Sequence, residues 1–81
     1  MSGSRHEAIT TAKRLLRSLA SAPDPRRRAR ALHAELAGAD DWTAADRQTI
    51  AALGIWLHDN PPLDALQARC GDVLAKLEQS R

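Results

Sequence analysis

The sequence predicts an all-α fold, a small four-helix bundle forming a single domain over residues 1–81. Three observations carry that expectation. Phe and Tyr are absent, Val73 is the only valine, and the isoleucines are Ile9, Ile50 and Ile55, so the chain is poor in the residues that favour strands. Alanine, leucine and arginine, all good helix formers, are abundant. Apolar residues recur at helical spacing in four stretches separated by Pro- or Gly-containing breaks, a pattern that also argues against disorder.

The first helix is expected over residues 4–20. Ser4 to Glu7 has the spacing of a capping box, in which a hydroxyl and a carboxylate satisfy backbone donors left free in the first turn. Ala8, Ile9, Ala12, Leu15, Leu16 and Leu19 then fall on one stripe, with Lys13, Arg14 and Arg17 on the other side. Pro23 breaks this helix. The second is expected over residues 25–37, with Asp24 as N-cap and Pro25 at the first position, where its missing N–H costs nothing. Ala29, Leu32, His33 and Leu36 form its stripe, and Gly38 follows as a left-handed stop.

A third helix is expected over residues 43–58, opened by a second capping box from Thr43 to Asp46. Trp42 precedes it and is expected to fold onto its first turn and stack on Arg47. The run from Ile50 to Leu57 is apolar almost all round, which predicts burial on several sides and a central position in the bundle. Gly54, in its middle, costs about 1 kcal/mol relative to alanine and so predicts a close helix–helix approach. Pro61 and Pro62 separate this helix from a fourth, expected over residues 61–79 with Leu63, Leu66, Cys70, Val73, Leu74 and Leu77 as its stripe. The core is expected to hold Leu16, Leu32, Leu36, Leu53, Leu57, Leu66, Val73 and Leu74.

Length and composition narrow the function classes. One cysteine cannot make an internal disulfide, no Cys/His set has zinc spacing, and a lone thiol suits a reducing cytoplasm. No apolar run approaches the roughly 20 residues that span a bilayer, and no signal-peptide core is visible. Residues 1–3 are expected to be disordered, and Met1 to Ser4 reads equally as a natural start or as the remnant of a tag. No nucleophile–base set, Gly-rich phosphate loop or acid pair stands out, so neither catalysis nor a cofactor or metal is expected.

Charge is uneven: residues 1–38 carry a formal +5 and residues 39–81 carry −3. Lys13, Arg14, Arg17, Arg27 and Arg30 are therefore candidates for one basic face on the first two helices, suited to an acidic protein surface or to phosphates. A solvated face that merely keeps the domain soluble explains the same pattern. A helix-turn-helix reading is weak, because the connection from Gly38 to Trp42 is long and Asp46 opens the would-be recognition helix.

His33 on an apolar stripe reads as a locally hydrogen-bonded histidine at the core margin, and Cys70 as a buried structural thiol. If Ile50, Leu53 and Leu57 face the core, Ile55 points roughly 140° away and Trp56 lies on the opposite flank, so helix 3 is either fully surrounded or exposes a binding flank. The expected function is a small protein–protein interaction module (an adaptor, regulator or inhibitor) using Ile55 and Trp56 or the basic face. The alternatives are a nucleic-acid-associated protein and a homodimeric structural subunit.

Overall fold

The computed structural model describes residues 4–79. It is a four-helix bundle, α1 (Arg5–Arg17), α2 (Pro25–Ala37), α3 (Ala44–His58) and α4 (Leu63–Gln79), with no strand element among the described residues. The expected disorder of residues 1–3 lies outside the described residues.

Three helices begin where a side chain satisfies an amide that the first turn leaves free. Ser4 Oγ accepts from the Glu7 N–H at 3.2 Å, Asp24 Oδ1 from Arg27 at 3.3 Å, and Thr43 Oγ1 from Asp46 at 3.1 Å. Pro25 occupies the first turn of α2, as its fixed φ favours. Both expected capping boxes are half made: each hydroxyl accepts from the first-turn amide, but neither the Glu7 nor the Asp46 carboxylate accepts from the cap residue's N–H among the described residues. Asp46 is 5% exposed, and its Oδ2 has no hydrogen-bond partner among the described residues.

The helix ends differ from expectation in three places, the first being α4, which begins at Leu63 and not at Pro61. α1 stops at Arg17, not Ala20, because residues 18–21 turn. That turn carries Leu19 into the core at 1% exposure and presents Ser18 Oγ to Arg28 Nη1 at 2.8 Å. Gly38 is not left-handed: its φ is −75°, and its N–H simply continues the α2 ladder to the Ala34 carbonyl. The left-handed position is Asn60, φ 51°, which lets the chain reverse into Pro61 and Pro62. Asn tolerates this region better than most residues with a Cβ.

Trp42 corrects a further expectation. It does not stack on Arg47. Its ring is 5% exposed and its Nε1–H donates to the Leu36 carbonyl at 2.7 Å, closing the end of α2 that lacks intrahelical donors.

The helix arrangement overturns the central placement of α3. α2 touches α1, α3 and α4; α4 likewise touches the other three; α1 and α3 do not meet. The bundle is therefore a rhombus with α2 and α4 on the short diagonal and α1 and α3 at opposite corners. Small residues allow it: α1 buries only Ala8 and Ala12 within its helical span, so α2 approaches closely.

The core otherwise matches the expected set. Leu32, Leu36 and Leu53 have no exposure, Leu66, Leu74, Leu57 and Val73 have 5% or less, and only Leu16 is half-buried. Gly71 explains Leu16 in part: the α4 backbone there leaves its side chain lying over an open glycine, 3.8 Å from where a Cβ would stand. Leu63, the first residue of α4, leaves the stripe and is 53% exposed.

Leu53→Ala removes a fully buried side chain. It is expected to cost about 2–5 kcal/mol, a large share of the stability of a domain this size, measured as a loss of Tm or of urea midpoint.

Candidate interaction groove between α2 and α3

A corner helix in a rhombus covers only part of its surface, and α3 is apolar well beyond the part that is covered. Ile50, Leu53 and Leu57 face inward and are buried. Ile55 is 74% exposed, the most exposed large apolar side chain among the described residues. α3 is thus not fully surrounded, and the flank that carries Ile55 is open. Trp56 lies on the other flank, half-buried, with the Arg69 guanidinium 5.6 Å from its ring centroid. That is cation–π range, so Trp56 is held against α4.

Ile55 borders a groove of about 460 Å³ along the seam of α2 and α3, lined by Arg30, His33, Ala51, Gly54, Leu57 and His58. A second hollow of about 500 Å³ adjoins it, sharing His33 and Ala51 and reaching Asp40, Trp42 and Arg47. Together they run along α3 from Arg47 to His58, twelve residues or about 16 Å of helix.

Gly54 shapes the middle of this groove. A Cβ there would stand 2.6 Å from His33 Nε2 and 2.9 Å from its Cε1. The close approach expected at this glycine is therefore between a helix backbone and an imidazole, not between two backbones. His33 is half-buried and makes no hydrogen bond among the described residues, so the expected local hydrogen bond is replaced by the ring lying over Gly54. Sequence reading saw His33 and Gly54 separately. The missed signal was their pairing: a residue without a side chain on one helix accommodating a flat ring on its neighbour.

The five basic candidates are distributed over more than one surface. Lys13 turns toward α4 and pairs with Glu78 at 2.6 Å, the single ion pair among the described residues. Arg30 borders the α2–α3 groove, where Nη2 donates to Asn60 Oδ1 at 3.4 Å, a contact that leaves its charge unneutralised. Arg14, Arg17 and Arg27 are exposed, and their guanidinium groups have no hydrogen-bond or ion-pair partner among the described residues. The arginines on either side of Arg27 serve the fold: Arg26 Nε donates to the Pro61 carbonyl at 3.1 Å and Arg28 to Ser18.

No three or more His, Cys, Asp or Glu side chains among the described residues are placed to hold a metal ion, and no described helix is long and apolar enough to cross a membrane. Cys70 is fully buried, and desolvation pushes its thiol up to about 11. Comparisons with known protein families, with curated proteins and with solved structures found no match.

Two outcomes follow from these placements. Gly54→Ala gains helix propensity of about 1 kcal/mol while only the far end of the His33 side chain must move. The variant is expected to melt no lower than the parent, with the His33 ring resonances displaced in NMR spectra. Cys70 is expected to resist alkylation in the native state and to react fully in urea. Because its thiolate is disfavoured only in the folded chain, stability should fall as pH rises from 9.0 toward about 11.

Proposed function

We propose that this chain is a small non-catalytic interaction module, an adaptor, regulator or inhibitor of a larger protein, and that it docks through the α2–α3 groove. The supporting observation is Ile55, 74% exposed beside a groove with apolar residues in its floor. Burying a side chain of that size is worth about 1.5–3 kcal/mol to a complex, and nothing in the bundle makes use of it. A cytoplasmic setting suits the lone, buried thiol.

A second reading rests on Arg14, Arg17 and Arg27, exposed and unpaired among the described residues, as contacts for a nucleic-acid backbone. The two readings use different surfaces and separate in one experiment. A photo-crosslinking phenylalanine analogue is placed at position 55 or at position 14 in cells of the native host. The groove reading expects a covalent protein adduct from position 55 and none from position 14. Adducts from position 14 alone, or cross-links to nucleic acid, would overturn it. An Ile55→Ser variant is expected to stay within about 0.5 kcal/mol of the parent while losing the partner, measured by denaturation and by co-purification with the partner that the cross-link identifies.

A further inference from the structure

The rim of the groove carries a charge pattern that its apolar floor does not require. Arg30 and His58 border one end and Arg47 the other, with His33 between them; Asp40, beside Arg47, is the one acid in the lining. Arg30 faces only the neutral Asn60, and neither it nor Arg47 has an ion-pair partner among the described residues. The rim is thus basic, most purely so at the Arg30 end.

The shape limits the form of the occupant. Added strands need an open sheet edge, and the described residues contain no sheet. Polyproline ligands need an aromatic-lined groove, and the one aromatic side chain here, Trp42, is 5% exposed. Phosphorylated motifs are read by clustered arginines, whereas Arg30 and Arg47 sit toward opposite ends. What remains is a helix laid between two helices, over about 16 Å or three turns.

A second copy of the chain is the poorer occupant. A two-fold contact would bring Arg30 and Arg47 of each molecule together with a single Asp40 from each, leaving like charge in excess.

We infer that the groove takes one amphipathic helix of a partner protein, three to four turns long, whose apolar stripe covers Ile55 and whose flanks carry Asp and Glu. Its more acidic end lies at Arg30 and His58, and its less acidic end avoids Asp40. This rests on the docking reading above and adds the chemistry and direction of the partner.

The test uses two synthetic helical peptides with the same Leu/Ile stripe, one flanked by Glu and one by Lys, titrated at low salt into the isotope-labelled protein. The Glu peptide is expected to shift the amides of Ala51, Gly54 and Ile55 and to bind at least about tenfold more tightly than the Lys peptide. Arg30→Glu with Arg47→Glu should reverse that ranking; both side chains are exposed, and circular dichroism checks the fold. A nitroxide on the Glu-rich end of an asymmetric peptide should broaden amides near His58 before those near Arg47. Equal or better binding by the Lys peptide, shifts confined to α1 and α4, or no binding of either peptide would overturn the inference. The docking reading fails separately: a position-55 adduct whose linked segment is not an acidic helix removes this partner and leaves the groove as an interface. An adduct with twice the chain mass would show that the occupant is a second copy.

Discussion

Ala29, Leu32 and Leu36 have no exposed surface, and the helix that carries them touches each of the other three. With no Phe or Tyr in the chain and Trp42 seated at one end, the centre is filled by side chains no larger than leucine. Such a core closes only if the backbones come near one another, because a void forfeits dispersion contacts that nothing restores. Alanines at positions 8 and 12 of α1 and 29 of α2 permit that approach. The short diagonal between α2 and α4 follows from it, and so does the separation of α1 from α3.

That separation leaves α3 with neighbours on two sides and apolar residues on more than two. The remainder of its surface, with Ile55 at its edge, becomes the wall of a groove. The same helix begins with a compromise. Asp46 sits where the helix dipole favours an acid, yet one of its oxygens is buried without a donor among the described residues. A buried polar atom left in this way opposes stability.

Much of the fold was legible because it is local. Each cap is a side chain reaching three residues along the chain, and each stripe is a period visible within one helix. Ser4, Asp24, Thr43 and Pro25 therefore mark the starts of three helices correctly. What was not legible depends on pairs remote in sequence. The apolar run of α3 says how much surface wants covering, but not how many helices arrive to cover it. Trp42 precedes Arg47 by five residues, yet the carbonyl of Leu36 offers its indole N–H a hydrogen bond that a buried ring cannot forgo. Gly38 does follow the last residue of α2, but not in the left-handed conformation its type suggested, and the Trp42 indole satisfies a carbonyl at that end. At the groove, Ile55 was legible as a surplus apolar residue. The fit of His33 over Gly54 was not, since it joins two helices across a distance no periodicity encodes.

The groove walls are fastened at both ends before anything enters. At one end the Trp42 indole grips the last turn of α2, and the Arg5 N–H at the start of α1 donates to Asp41 Oδ1 at 2.6 Å, tying the α2–α3 connection to α1. At the other, Arg26 holds the Pro61 carbonyl and Arg30 reaches Asn60, where proline stiffens the chain. Two helices pinned at both ends of their seam have little freedom to splay. A visitor would meet a shape already set, and the conformational entropy of forming the cleft is lost during folding and not at the moment of association. On the docking reading proposed above, selectivity in such a cleft would come from rejecting what does not fit, and the bundle's own stiffness would set the breadth of sequences it tolerates.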